Sequence, residues 1–279
     1  MPADLADRFV VRREGRRSAL VRVDFAEAFE AAGLLEAASL EPRELVARLA
    51  GGAAGPRGPG RGARLLDTAP GRGPVAIVPA GQLGEAVVRP YRRGGLARRF
   101  SRRRYLFGRR GERELVVTER LRRRGVPVVE PLACVREALG PGYRAALVTR
   151  FVEGARPASE VLGRGAPGPA AREPGVTVLM RALGETAAHL HAAGGWHADL
   201  HADNFLVRGS GADAAAPGDA RPLLVDLDRG RLFPFPVPVA VGRWSLRRLA
   251  RHLRKRRLEA ALAAFGALED AYVEAREAS

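Results

Sequence analysis

Two polar segments, each following an apolar one, constrain the fold of this chain more than any other feature. An apolar pattern with helical spacing over residues 176–193 ends at Gly194-Gly195, and His197-Ala198-Asp199-Leu200-His201-Ala202-Asp203-Asn204 follows it. Farther along, the short apolar strand pattern Leu224-Val225 ends in Asp226. A carboxylate, an amide and a second carboxylate at a strand end are the groups that phosphoryl transfer requires. Either segment alone is a weak signal, but in this order they predict a site for phosphoryl transfer.

The polar side chains of these segments suit distinct roles. Asp199 is the candidate base, which would accept the proton of the acceptor hydroxyl. Asn204 and Asp226 are candidate ligands of Mg²⁺, because this ion prefers hard oxygen ligands. The competing interpretation is a chance loop after a helix, and the three residues together outweigh it. We expect Asp203 to be a solvated loop carboxylate, while Asp228 could be either a second metal ligand or a turn residue.

A strand-rich region precedes these segments. Three short apolar runs, at residues 65–66, 75–78 and 86–88, are separated by proline and glycine and predict a meander of three antiparallel strands. Gly71 and Gly73 lie between the first two runs, where a loop covering the phosphates of ATP would lie. The chain contains 33 glycines, so a plain turn is an equally good interpretation of this pair.

Arg89, at the end of the third run, stands where kinases place a lysine that binds phosphate. No lysine is available in this region, since Lys255 is the only one in the chain. An arginine can bind phosphate oxygens through two donors at once, with a wider and more diffuse charge. Glu114, on a helix predicted over residues 112–124, is its natural partner, with Glu112 and Glu119 as rivals. The alternative for each is an ordinary surface charge.

The patterns predict an α+β fold of the two-lobed, protein-kinase-like type, with an antiparallel-sheet N-lobe and a mainly helical C-lobe. Residues 1–62 form an N-terminal extension that ends in a Gly/Pro/Arg linker, and its role stays open. Residues 63–153 are assigned to the N-lobe and residues 154–279 to the C-lobe. Within the extension we expect a hairpin at residues 8–23 and helical structure over residues 24–50. Ser245 is expected to cap a final helix.

The chain is strongly basic, with 47 basic against 31 acidic groups and a formal charge of +16. Its first arginine cluster, the Arg92–Arg110 region, is interleaved with aromatic residues, and a second spans Arg243 to Arg257. Each could be a solvated face or a docking surface for phosphorylated lipid or nucleic acid, and the aromatics favour docking for the first. Lone Cys134, an N-terminus without an apolar run, and the absence of a membrane-length segment predict a cytoplasmic protein.

Six short motifs carry a resemblance to a known family. They are Tyr91-Arg92-Arg93-Gly94-Gly95-Leu96, Tyr105-Leu106-Phe107, Arg113-Glu114, Gly125-Val126-Pro127-Val128, His197-Ala198-Asp199-Leu200 with Asn204, and Asp226-Leu227-Asp228-Arg229-Gly230-Arg231. Over roughly residues 65–258 the chain resembles the bacterial 3-deoxy-D-manno-octulosonic acid (Kdo) kinases, which belong to the lipopolysaccharide core kinases. The resemblance implies a protein-kinase-like fold and ATP-dependent phosphorylation of Kdo on a lipid A precursor. It also implies that Asp199 is the base, that Asn204 and Asp226 hold metal, and that Arg89 pairs with Glu114.

The expected cofactors are therefore ATP and Mg²⁺, and the expected partner is Kdo-lipid A or a similar anionic glycolipid. The Arg92–Arg110 region would contact the anionic inner face of the inner membrane; neither nucleic acid nor an obligate protein partner is expected. Ala198 stands where regulated protein kinases carry an arginine, and the chain leaves little room for an activation loop, which favours a small or lipid-linked acceptor. The alternatives are a kinase of heptose or another sugar, a small atypical protein kinase, and a catalytically silent nucleotide-binding scaffold.

Overall fold

The computed structural model describes residues 3–51, 62–67, 73–91, 108–163, 173–208 and 221–278. The chain divides into two compact units. Unit 1 comprises Met1–Val116 and Glu130–Phe151, and unit 2 comprises Val117–Val129 and Val152–Ser279. The first is built on an antiparallel sheet and the second is mainly helical. The predicted α+β class, with one sheet-based and one helical part, is therefore confirmed, while the predicted boundaries at residues 62 and 153 stay a proposal beside this division.

Unit 1 contains a seven-stranded antiparallel sheet with the strand order β1-β2-β6-β7-β5-β4-β3. Its strands are β1 (Phe9–Glu14), β2 (Arg17–Arg22), β3 (Arg64–Leu66), β4 (Val75–Pro79), β5 (Glu85–Pro90), β6 (Pro131–Leu139) and β7 (Gly142–Arg150). The predicted meander corresponds to β3, β4 and β5, and the predicted N-terminal hairpin to β1 and β2. Gly15 makes the hairpin turn at a φ of 54°, a conformation that glycine adopts without strain. β6 was not predicted.

The N-terminal residues are an integral part of this sheet. The hairpin of β1 and β2 pairs with β6, and two helices, α1 (Ala26–Ala31) and α2 (Pro42–Gly51), follow it. Phe25, Phe29 and Leu45 from this segment are fully buried in the same apolar cluster as side chains of β4, β5 and β6. The helical structure expected over residues 24–50 is present as separate segments, because Gly33 adopts the left-handed conformation and Pro42 begins a new helix.

Unit 2 combines helices with two small sheets. Its strands are β8 (Ala155–Pro157), β9 (Gly195–Trp196), β10 (Phe205–Arg208), β11 (Leu223–Leu224) and β12 (Arg231–Leu232). The helices of the chain from its middle onward are α3 (Arg110–Arg123), α4 (Ala158–Gly163), α5 (Glu173–Ala192), α6 (Val239–Lys255), α7 (Glu259–Ala263) and α8 (Phe265–Glu277). The predicted helices over residues 112–124 and 176–193 match α3 and α5. Ser245 lies in the middle of α6 rather than at its start, and its hydroxyl donates to the carbonyl of Gly242 at 2.7 Å.

The core of unit 2 forms where α5 packs on α6 and α8. Leu183, Leu190, Leu249 and Leu268 are fully buried within one apolar cluster. Gly184 allows the closest approach, since a Cβ atom at this position would lie 2.2 Å from the backbone carbonyl oxygen of Leu268. A glycine is therefore required where α5 passes over α8.

Gly184→Ala is expected to lower the free energy of unfolding by about 2–3 kcal/mol, because a backbone atom cannot move aside as a side chain would. Gly266→Ala, in α8, is the matched control: nothing lies within 4 Å of the added methyl group. This second substitution should raise stability by about 0.5–1 kcal/mol through helix propensity. Urea denaturation of both variants measures the difference, and equal stabilisation by the two substitutions would contradict the proposed close approach.

Candidate active site

Asp199 lies in the loop between β9 and the turn at residues 202–204, and its side chain is exposed. One carboxylate oxygen, Oδ1, lies 3.3 Å from Nη1 of Arg248 on α6. The other, Oδ2, lies 3.5 Å from Nε2 of His201. The carboxylate is thus oriented by a cation while one side of it remains open to solvent, as a base that must meet an incoming hydroxyl requires.

His197 connects this loop to the segment that carries Asp226. Its Nε2 donates to the carbonyl of Val225 at 3.1 Å, while its Nδ1 accepts the backbone N–H of Asp199 at 3.2 Å. The two contacts require a neutral ring with the proton on Nε2. Burial lowers the pKa of His197 below its ordinary value and so supports the same state, although the Val225 carbonyl opposes the shift. A buried, neutral imidazole therefore sets the distance between the two polar segments.

Asn204 forms a second connection between them. Its side-chain amide nitrogen donates to the backbone carbonyl of Asp199 at 2.9 Å, and its backbone carbonyl accepts the backbone N–H of Val225 at 3.0 Å. The side chain is almost fully buried. Asp199, Asn204 and Asp226, which are far apart in the sequence, are consequently brought together in unit 2 by short contacts through His197 and Val225.

Asp226 adopts an unusual backbone conformation. It has a φ of 63° and a ψ of 48°, in the left-handed region, and precedes the helical turn Leu227–Arg229. Residues other than glycine adopt this conformation at a cost of about 1–2 kcal/mol, and aspartate and asparagine tolerate it best. Such strain at a half-buried carboxylate beside Asn204 is typical of a functional position.

The donor set at Asn204 and Asp226 fits a magnesium ion. The amide nitrogen of Asn204 is engaged with the backbone of the loop, so the amide oxygen is the atom of this side chain that can serve as a ligand. Asp226 supplies a carboxylate, and Mg²⁺ is bound in proteins by one or two such oxygen groups together with phosphate oxygens. Neither residue offers nitrogen or sulfur, which zinc would prefer.

A separate polar cluster lies in unit 1. Nη2 of Arg89 on β5 donates to Oε1 of Glu114 on α3 at 2.7 Å, and the hydroxyl of Tyr91 donates to the other carboxylate oxygen. The Glu114 side chain is 2% exposed, whereas that of Arg89 is 33% exposed. Burial and then the Glu114 charge raise the pKa of Tyr91 well above its ordinary value, so it remains a donor. Arg89 is thus anchored at one side, and part of its guanidinium reaches solvent.

The rivals of Glu114 contact other arginines. Glu119 accepts from Arg122 at 2.8 Å, and Glu112 lies 3.5 Å from Arg109. Among the predicted phosphate-binding glycines, Gly73 has a φ of 72°, which suits a tight loop. Gly71 and residues 92–107 of the Arg92–Arg110 region lie outside the described residues.

Asp203 is not the solvated loop carboxylate that the sequence suggested. It is buried, it accepts hydrogen bonds from the hydroxyl of Ser159 on α4 and from Nη2 of Arg256, the latter at 2.7 Å, and it lies beside His252. Burial alone would raise the pKa of Asp203, but these hydrogen bonds outweigh it and hold the pKa below its ordinary value. This residue anchors the Asp199 loop to α4 and α6.

Two histidines that are distant in the sequence also meet here. The rings of His201 and His252 stack with centroids 4.7 Å apart, and together with Asp203 they form a group of suitable metal-binding types. The sequence contains no local spacing that would reveal this group. Because Arg256 and Ser159 already bond both oxygens of Asp203, we interpret the group as a structural anchor.

Arg248 is the functional candidate that sequence reasoning missed. In the sequence it is one of several arginines in the cluster from Arg243 to Arg257, and nothing distinguishes it from the others. Its contact with Asp199 joins residues 49 positions apart in the sequence, and no local pattern encodes that distance.

An α+β fold whose helical unit brings a candidate base and two candidate metal ligands together has the arrangement that a phosphotransferase requires. Comparison with known proteins agrees: the family model described as "Lipopolysaccharide kinase (Kdo/WaaP) family" matches residues 61–271. The chain belongs to this family.

The curated relatives are named 3-deoxy-D-manno-octulosonic acid kinase. That of Xanthomonas axonopodis pv. citri (strain 306) is 39% identical over 212 residues, covering 72% of this chain and 74% of the relative. That of Xanthomonas campestris pv. campestris (strain B100) is 37% identical over 221 residues, covering 77% and 78%. A solved structure described as "WaaP in complex with acyl carrier protein" aligns with a TM-score of 0.46 and 16% identity, covering 93% of this chain and 98% of that one. In the described part of the chain, no helix is both long and apolar enough to cross a bilayer.

Proposed function

We propose that this protein is an ATP-dependent kinase that phosphorylates a hydroxyl group of Kdo on a lipid A precursor during synthesis of the lipopolysaccharide core. One observation carries the proposal: Asp199, Asn204 and Asp226 are joined by the contacts of His197 and Asn204 with the backbone of Val225. The choice of Kdo as the acceptor is supported by the relatives, which are named 3-deoxy-D-manno-octulosonic acid kinase.

Asp199 would orient the acceptor hydroxyl and take its proton as the oxygen attacks the γ-phosphorus of ATP. The new oxygen–phosphorus bond forms while the bond to the β-phosphate oxygen breaks, and ADP leaves with that electron pair. Most of the acceleration comes from the fixed geometry, since little proton transfer is complete in a loose transition state. The open side of the Asp199 carboxylate supports this role.

Asn204 and Asp226 would hold Mg²⁺, which would neutralise the charge of the phosphates. In unit 1, Arg89 would bind phosphate oxygens of the nucleotide in place of a lysine, and Glu114 would hold it in position. Gly71 and Gly73 would allow the backbone to approach the same phosphates. The solvent-facing part of the Arg89 guanidinium supports its assignment.

The acceptor would be presented at the inner face of the inner membrane, which the protein would meet as a peripheral protein. The Arg92–Arg110 region supports this proposal through its charge, because clustered arginines attract anionic lipid headgroups. Sedimentation with anionic and neutral vesicles at low and high salt would test it.

The direct test of function is incubation of the purified full chain with Mg-ATP and Kdo-lipid A, followed by mass spectrometry. Addition of one phosphate to Kdo is the expected result. Phosphorylation of a heptosylated acceptor only, or of protein only, would replace the proposed acceptor.

Arg89→Met separates the structural role of this residue from phosphate binding. It should lower the free energy of unfolding by about 2–4 kcal/mol, because the buried Glu114 carboxylate loses the cation that β5 supplies. It should also raise the KM for ATP by about 10- to 100-fold, the value of a lost charge-assisted hydrogen bond. Thermal denaturation and steady-state kinetics measure the two effects.

Two further variants sharpen this test. The double variant Arg89→Met with Glu114→Gln should regain most of the stability without regaining affinity for ATP. Arg122→Met removes an arginine of similar exposure, 32%, from an equally buried glutamate, Glu119. It should cost similar stability and leave the KM for ATP unchanged; a raised KM in this control would show that instability alone produces the effect.

A further inference from the structure

We propose that Trp244 and Arg248 on α6 form the subsite that receives the acceptor sugar, with Arg248 binding its carboxylate and Trp244 lying against its ring. This inference rests on the proposed function and specifies how the acidic sugar is recognised. The ligand class is a sugar acid presented on an anionic glycolipid.

Arg248 is placed to bind an anion beside the reacting hydroxyl. Its guanidinium lies 3.3 Å from the Asp199 carboxylate, and the two side chains are 43% and 61% exposed. An ion pair this exposed contributes little free energy, so Arg248 can share its five N–H donors between Asp199 and a second carboxylate at little cost. A planar guanidinium can also hold a carboxylate through two parallel hydrogen bonds, which fixes the orientation of the sugar.

Trp244 supplies a rigid platform one helical turn away. Its ring stacks on that of Trp196 at a centroid distance of 6.3 Å and an angle of 9°, and Trp196 in turn stacks on buried His191. His191 is held by the hydroxyl of Tyr272 at 3.0 Å. The stack therefore runs from the core outward to Trp244, which is 54% exposed. An exposed aromatic face that is fixed from behind carries a negative potential, and it attracts the C–H groups of a pyranose ring.

The spacing of the two side chains matches the ligand. Residues four apart on a helix are neighbours on one face, separated by about 6 Å along the axis. A pyranose ring with a carboxylate on its anomeric carbon is of the same length. Trp196 also lies three residues before Asp199, so the platform and the candidate base belong to one short segment. A sugar bound in this way presents its hydroxyl groups towards Asp199.

The rest of the exposed α6 face favours an anionic glycolipid over a neutral sugar. Arg243, Arg247, Arg251 and Arg254 are exposed on it, while Leu246, Leu249 and Leu253 on the opposite face are buried. The exposure of several cations on one helix face raises the local concentration of an anionic acceptor. The apolar face fixes the helix, and the basic face meets the ligand.

The test crosses a protein variant with an acceptor variant. Wild type, Arg248→Gln, Arg248→Lys, Trp244→Leu and a control are assayed with Kdo-lipid A and with its Kdo methyl ester. The control is Arg181→Gln on α5, which removes a 40% exposed arginine from an ion pair with Glu274. For the wild type, kcat/KM should fall by about 10- to 100-fold on esterification, the value of a lost charge-assisted hydrogen bond. Arg248→Gln should lose a similar factor on the acid, chiefly through KM for the acceptor, and should no longer distinguish acid from ester.

The remaining variants assign the parts of the subsite. Arg248→Lys should keep partial discrimination between acid and ester, Trp244→Leu should lower kcat/KM for both acceptors equally, and Arg181→Gln should behave as wild type. The KM for ATP and the melting temperature should stay unchanged throughout, which excludes loss of folding.

Two outcomes would contradict the proposed subsite, and both can be told apart from an outcome that contradicts the proposed function. If the wild type phosphorylates acid and ester equally well, or if Arg248→Gln discriminates as the wild type does, Arg248 does not bind the carboxylate although the kinase assignment stands. If the wild type transfers no phosphate to either Kdo acceptor, the proposed function fails and the subsite fails with it.

Discussion

Asp199→Asn is expected to reduce kcat by about 10²- to 10⁴-fold, the range that a positioned general base contributes. The substitution keeps the shape of the side chain and removes its ability to accept a proton as an anion. It should leave nucleotide affinity unchanged, because the residue faces the acceptor. Mass spectrometry of the glycolipid product measures turnover, and isothermal titration with the nucleotide measures binding.

The stability of this variant is informative as well. The pair between Asp199 and Arg248 is exposed, so its loss should change the free energy of unfolding by less than about 1 kcal/mol. A fall in activity without a fall in stability would therefore locate the defect in the chemical step. Full cellular function in the variant would instead favour the catalytically silent nucleotide-binding scaffold. That alternative arises because Arg89 stands where kinases place a lysine.

Asp226→Asn should have an effect of similar size, a loss of about 10²- to 10⁴-fold in kcat/KM, since metal binding stabilises the transition state by several kcal/mol. Asparagine tolerates the left-handed backbone conformation of this position, so the substitution isolates the charge from strain. Retained folding should be accompanied by weaker binding of Mn²⁺, which electron paramagnetic resonance measures with no turnover required.

Asp228→Asn is the matched comparison, because it removes a carboxylate from the same turn. Loss of Mn²⁺ binding in the Asp226 variant only would assign the metal to that carboxylate and leave Asp228 as a turn residue. Equal loss of Mn²⁺ binding in both variants would make Asp228 a second ligand. Unchanged Mn²⁺ binding in both variants would remove the metal from this turn altogether.

The sequence predicted what local chemistry encodes. Periodic apolar residues gave α3 and α5, and proline and glycine marked the gaps between β3, β4 and β5. The order of the polar segments predicted that Asp199, Asn204 and Asp226 belong together, and the contacts through Val225 bring them together. Arg89 and Glu114 also meet as expected, because a strand and the next helix commonly pack on each other.

The misses share a physical cause. β6 is buried on both faces over Leu132 to Val135, so it has no alternation to recognise. Asp203 and Arg248 acquire their environments from α4 and α6, which are distant in sequence, and a local pattern cannot report tertiary contacts. Ser245 resembled a cap because its neighbours are apolar, yet α6 already begins at Val239.

The placement of the first hairpin has a consequence for the boundaries of the family. The family model begins at residue 61, but β1 and β2 precede it and cover one edge of β6. A chain cut at that residue would leave the N–H and C=O groups of β6 unpaired along this edge and uncover the apolar face beneath Phe25 and Phe29. Open strand edges of this kind recruit other chains, so such a fragment would associate with itself rather than fold as a soluble monomer. The shared segment therefore depends, in this protein, on residues that the family model does not contain.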